Sequence, residues 1–93
     1  MRVTDEDVRH AIQVLLESRQ LSATICSSEA ARALAPKEWR PLMPQVRAVA
    51  VAMAKEGALE ISQAGNAVEL DRPLSGPIRL GRPLTDRQSS DSA

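Results

Sequence analysis

The apolar residues near the start of the chain recur at helical spacing. Val8, Ala11, Ile12, Leu15 and Leu16 share one face at i, i+3, i+4 and i+7, while Arg9, Gln13 and Glu17 take the other. Thr4 followed by Asp5, Glu6 and Asp7 marks the start: a hydroxyl to cap a free backbone N–H, then three carboxylates at the positive end of the helix dipole. This first helix is predicted to run to about Ser18. Residues 21–26 mix small, polar and β-branched types, and residues 23–25 are predicted to be a short strand. A second helix is expected from Ser28 to Leu34, with Ser27 and Ser28 offering the cap and Glu29 in the first turn. It should bury Ala30, Ala33 and Leu34 and stop before Pro36.

Residues 37–40 have room for one helical turn. Pro41 and Pro44 stand where proline is tolerated, so the third helix is predicted to begin near Leu42 or Pro44 and to end at Gly57. At about 100° per residue, its Val46, Val49, Ala50 and Met53 form the core side, and Ala48, Val51, Ala52 and Lys55 the opposite one. Leu59 and Ile61 then alternate with polar residues, Ala64, Gly65 and Asn66 supply turn chemistry, and Val68 and Leu70 alternate again, which is the pattern of a β-hairpin. Pro73, Gly76 and Pro77 break the chain, Ile78 and Leu80 add a last short apolar contact, and residues 81–93 read as a polar, disordered tail. Three helices with a short strand before the second and a hairpin after the third give a mainly α chain with a small β-hairpin. That is the order of a winged helix-turn-helix domain, spanning residues 1–80.

Composition narrows the chemistry. With 93 residues there is room for one domain, and with Trp39 as the only aromatic residue its core must be aliphatic. The single cysteine, Cys26, excludes an intrachain disulfide, argues against a cysteine-built zinc site and fits a reducing, cytoplasmic setting. No apolar run approaches the roughly 18 residues of a membrane span, and the first ten residues do not read as a signal peptide. His10 is the only histidine, so a metal site or a proton shuttle lacks a second member. Ser27, Ser28 and Glu29 are read as caps and Cys26 as a small buried residue. No catalytic, metal or cofactor constellation emerges, and the chain is not expected to be an enzyme.

Charge decides how far the scaffold implies DNA. Twelve basic side chains balance twelve acidic ones, whereas proteins that coat phosphate backbones usually carry a basic excess. Residues 40–56 are net +2, but residues 57–72, with Glu60, Glu69 and Asp71 against Arg72, are net −2. On the third helix only Gln45, Arg47 and Lys55 could reach bases or phosphates. The candidate anion or nucleic-acid contacts are Arg32, Arg40, Arg47, Lys55 and Arg79, weighed against the pairing of Arg32 and Arg40 with Glu29 or Glu38 on a solvated surface. The outer Ala48, Val51 and Ala52 suit a close protein interface instead. Trp39 is read as a lid over the second and third helices, with an exposed anchor as the alternative. Two functions therefore stand side by side. One is a DNA-binding or regulatory winged-helix protein, expected to be a dimer; the other is a module that uses the outer face of the third helix to dimerise or to dock another protein.

Several short strings resemble a small bacterial family, domain of unknown function 3253. They are Thr24-x-Cys26-x-Ser28-Glu29-x-Ala31-Arg32-Ala33-Leu34, then Trp39-Arg40-x-Leu42-Met43-x-x-Val46-Arg47, then Gly57, Gly65 and Gly76-Pro77-Ile78-Arg79. The resemblance covers roughly residues 5 to 80 and implies a winged-helix-like fold without an assigned activity, substrate or partner. Ser27 departs from it, standing where that pattern usually has proline.

Overall fold

The computed structural model describes residues 3–20, 23–63, 65–68, 70 and 76–83. Helix α1 (Asp5–Glu17) begins as its sequence dictates: the Asp7 N–H donates to Thr4 Oγ1 at 3.1 Å, and the Thr4 N–H donates to Asp7 Oδ2 at 3.0 Å. This reciprocal capping box satisfies two otherwise orphaned donors, and hydrogen bonding to Thr4, its backbone N–H first and its hydroxyl second, holds the Asp7 carboxyl below its ordinary pKa. Val8, Ile12 and Leu16 are its buried stripe, and Ala11 and Leu15 are half-buried beside it.

Strand β1 (Thr24–Cys26) leads without a loop into α2 (Ser27–Leu34). The cap is thus Cys26, one residue earlier than the serines that sequence chemistry favours. Glu29 reaches back to accept from the Cys26 N–H at 2.8 Å. In this helix Ala30 and Ala31 are buried while Ala33 is exposed and Leu34 half-buried, which corrects the expected face. Ser27 is drawn inside with them and is 1% exposed, and its hydroxyl has no hydrogen-bond partner among the described residues.

The chain then turns through Trp39 into a 3-10 turn (Arg40–Leu42) that runs straight into α3 (Met43–Lys55). Val46, Val49, Ala50 and Met53 are its buried residues, the four that the periodicity singles out. Gly57 ends it at φ +80°, where the Ala58 N–H donates to the Met53 carbonyl at 2.8 Å and the Gly57 N–H to the Ala54 carbonyl at 3.0 Å. That pair of bonds is a Schellman cap, and the left-handed backbone it needs is one that glycine adopts without strain.

Strands β2 (Glu60–Gln63) and β3 (Asn66–Ala67) form the wing hairpin, with Gly65 at φ +84° in its turn. A fourth strand, β4 (Arg79–Gly81), stands where only a short apolar contact is expected from the sequence. The order across the sheet is β1-β4-β2-β3, so this last strand is the link between β1 and the wing, antiparallel to both neighbours. Its register aligns Ile25, Leu80 and Ile61 in one row across three strands, all buried against the helices. Burial of each such side chain contributes about 1.5–3 kcal/mol. Structure continues past Leu80, because Arg82 Nε donates to the Leu16 carbonyl at 3.2 Å and so serves the last turn of α1. The expected tail from 84 to 93, and Glu69, Asp71, Arg72 and Pro73, lie outside the described residues.

Three helices packed on a small antiparallel sheet with a β wing make this a mainly α, winged helix-turn-helix fold. No helix among the described residues is long and apolar enough to cross a membrane.

Candidate anion-binding surface

The five cations singled out by sequence do not converge on one site. Arg79 projects from β4 on the face of the sheet opposite Leu80, and its guanidinium crosses to β1, where Nε donates to Thr24 Oγ1 and an Nη to the Thr24 carbonyl, both at 3.0 Å. Arg47 donates to the Gly76 carbonyl at 2.6 Å, tying α3 to the turn that precedes β4. Lys55 is exposed in the last turn of α3, remote in the helix from its N-terminal end. Arg47 and Arg79 are therefore engaged within the fold.

Arg32 and Arg40 behave differently. Both are exposed, and both lie over the Trp39 ring, with guanidinium carbons 4.5 and 4.6 Å from its centroid. Three elements place them: Arg32 closes the last turn of α2, Trp39 precedes the 3-10 turn, and Arg40 is the first residue of that turn. The Leu42 N–H donates to the Trp39 carbonyl at 3.0 Å and fixes the corner. Trp39 itself is half-buried and packs against the core, so it is both the lid and a platform for two charges.

The carboxylates expected to neutralise this pair are occupied or uninvolved. Glu29 accepts from neither arginine, since one oxygen accepts from Arg19 at 2.9 Å and the other from the Cys26 N–H. Glu38 is exposed, and among the described residues no carboxylate lies within ion-pair distance of either Arg32 or Arg40. Lys37 adds a further exposed cation to the same segment.

The outer face of α3 is closed more than its sequence suggests. Gln45 donates to the Val3 carbonyl at 3.0 Å and to Asp5 Oδ1 at 2.9 Å, drawing the start of α1 alongside. Arg9 makes a bidentate pair with Glu56 at 3.0 and 2.8 Å, which raises the Arg9 pKa and lowers that of Glu56. Of the three side chains available for reading bases, two are thus committed elsewhere. Ala48 and Ala52 are exposed as expected, whereas Val51 is half-buried and packs against the core, a correction to its outward placement. Ala48 and Ala52 line a cleft of about 180 Å³ with Val49, Asp5, Glu6 and Arg9.

Cys26 is half-buried. Its thiol accepts from the Ser28 hydroxyl at 3.1 Å. That bond lowers its pKa first and foremost; the Ser28 N–H and the nearby Arg79 charge add to the effect, against burial and Glu29. His10 is exposed, and among the described residues no three His, Cys, Asp or Glu side chains group so as to hold a metal ion.

The sequence groups Arg32 and Arg40 with Arg47, Lys55 and Arg79 as candidate anion contacts but sets Trp39 apart from them, as a lid. The available signal was the chain's sole tryptophan flanked by Lys37 and Arg40, one helix end away from Arg32. No curated protein matches the chain. A family model described as "Protein of unknown function (DUF3253)" matches residues 5–83, from the first residue of α1 to the proline just beyond β4, and the chain belongs to that family.

Proposed function

We propose that this chain is a non-enzymatic winged-helix protein that binds double-stranded DNA through phosphate contacts, without reading bases through α3. The observation that carries this reading is an excess of exposed positive charge at the helix-turn-helix corner: Arg32, Lys37 and Arg40 stand against Glu38 where α2 passes to α3, and among the described residues neither arginine pairs with a carboxylate. In this fold the corner and the start of the third helix lie against the duplex. Base readout is disfavoured because Gln45 and Arg47 bond within the fold and the exposed outer positions are Ala48 and Ala52. Lys55 extends the positive side along α3, and Arg47 and Arg79 hold the scaffold instead of touching phosphate. Fold-level analogy supplies the rest of the argument.

Fluorescence anisotropy with an end-labelled duplex of arbitrary sequence tests the reading. The expected result is saturable binding at low salt, weakening to a dissociation constant of about 10⁻⁴–10⁻⁶ M at physiological salt. Unchanged anisotropy at low salt up to about 10⁻⁴ M protein, tighter than which even non-specific binders associate, overturns it.

A second reading rests on the cleft beside Ala48 and Ala52, whose small side chains let another backbone approach closely. It makes the outer face of α3 a self-association or partner surface in a regulatory protein. Light scattering on the purified chain is the check: a dimer that Ala52→Glu dissociates supports it, and a monomer at all concentrations removes the homodimer.

A further inference from the structure

We propose that Arg32, Trp39 and Arg40 form a phosphate-binding site in which the indole is a platform and the two guanidinium groups are the jaws. The inference rests in part on the DNA reading, because it names the place where the duplex would be held; it also stands without it, as a site for a phosphoryl group of any origin.

The geometry supports a bound anion in three ways. A guanidinium stacked on an aromatic ring uses its face, and its N–H groups lie in the plane and point outward. Both guanidinium carbons lie over the ring, at 4.5 and 4.6 Å, both side chains are exposed, and neither makes a hydrogen bond to another described residue, so two sets of donors remain available. The shared ring also brings like charges together: the two guanidinium carbons are no further apart than those two distances laid end to end. Each fork bonds an oxygen at about 2.8 Å, so two successive backbone phosphates can engage both, and a single phosphorus centre can where the two forks turn toward each other. Finally, among the described residues no carboxylate pairs with either arginine: Glu29 is held by Arg19 and the Cys26 N–H, and the exposed Glu38 is not within ion-pair distance. A carboxylate offers two oxygens and is satisfied by one fork; a phosphate monoester or inorganic phosphate, with three or more free oxygens, can occupy two, and backbone diesters, with two each, do so as successive phosphates. That favours phosphoryl ligands over acidic peptides.

The site carries its own reporter. Trp39 is the only aromatic residue, so tryptophan emission from the full-length chain comes from the platform alone. The experiment titrates the chain with inorganic phosphate and, separately, with an unlabelled duplex lacking terminal phosphates, at constant ionic strength, following emission; anisotropy of a labelled duplex is read in parallel. Both probes are expected to change Trp39 emission saturably. The midpoint should rise at least about tenfold in Arg32→Gln and in Arg40→Gln, the loss expected for a charge-assisted hydrogen bond, while Lys55→Gln leaves the phosphate titration unchanged. Circular dichroism confirms that these surface variants fold. If neither probe moves the emission, or if the two variants respond like the wild type, the site is overturned. Duplex binding seen by anisotropy with silent Trp39 emission removes the site and leaves the DNA reading standing. A response to phosphate without any duplex binding leaves the site and removes the DNA reading.

Discussion

The two ends of α2 use the same residue type for opposite purposes. At its start, where Cys26 leaves the sheet, arginine is structural: Arg79 bonds Thr24 twice, Arg19 bonds Glu29, and Glu29 caps the helix. At its finish, Arg32 and its neighbour Arg40 stack on Trp39 and bond to no other described residue. The difference teaches that exposure alone does not identify a functional cation in this chain, since Arg79 is exposed as well. What separates the two groups is whether the planar N–H edge already has an acceptor.

That contrast can be broken experimentally. The largest effect is expected from Leu80→Ala, which empties the middle of the row formed with Ile25 and Ile61 and removes the support under the start of α2. Chemical denaturation should show a loss of about 2–5 kcal/mol, and a loss below 1 would mean that β4 is dispensable. Next, Arg79→Ala should cost about 1–2 kcal/mol through its two hydrogen bonds, whereas Arg40→Ala should cost about 0.5 kcal/mol or less, as for a stacked surface cation. Equal melting temperatures for those two variants would erase the distinction between the ends.

Ser27→Pro should act in the opposite direction. Proline suits the first position of a helix, the preceding Cys26 already sits at φ −80° and ψ 143°, which proline tolerates behind it, and a buried unpartnered hydroxyl is removed. A gain of about 1 kcal/mol is expected, read as a raised melting temperature; a lower one would show that the ring overfills the space around Ser27.

The smallest effect concerns pH. Asp7 and Glu56 have lowered pKa values in the folded chain, so their stabilisation is present above the ordinary carboxylate value and is lost as pH falls through the lower folded one. The melting-temperature gap between wild type and Glu56→Gln should thus be present at neutral pH and close in acid. A gap that is constant down to strongly acidic pH would exclude the Arg9 pair as its source.

Most of the scaffold is legible in the sequence because it obeys a period. Thr4 with Asp7 announces α1, and the spacing of Val46, Val49, Ala50 and Met53 selects the buried face of α3. Alanine carries no such mark, so the choice between Ala31 and Ala33 in α2 is made by the packing of the helix against α1 and α3 and not by its own spacing. Strand β4 was hidden for a different reason. Three residues after Pro77 show too little alternation to be recognised, and their conformation comes from partners far along the chain. The candidate site was half legible: its members stand out as lone aromatic and unbalanced cations, but whether Arg32 would meet Glu29 or Trp39 is decided by Arg19, which sequence proximity does not reveal.

Because β4 lies between β1 and β2, the sheet cannot be assembled in the order in which the chain is made. Arg79 and its partner Thr24 are 55 residues apart, and among the described residues β1 has no other strand beside it. During synthesis the helices and the wing hairpin can form first, but β1 and the inner side of β2 remain open edges until the residues of β4 have emerged. Closure of that gap is a long-range step and is expected to set the folding rate, so a nascent chain arrested before residue 79 would expose two unsatisfied edges to any neighbouring strand.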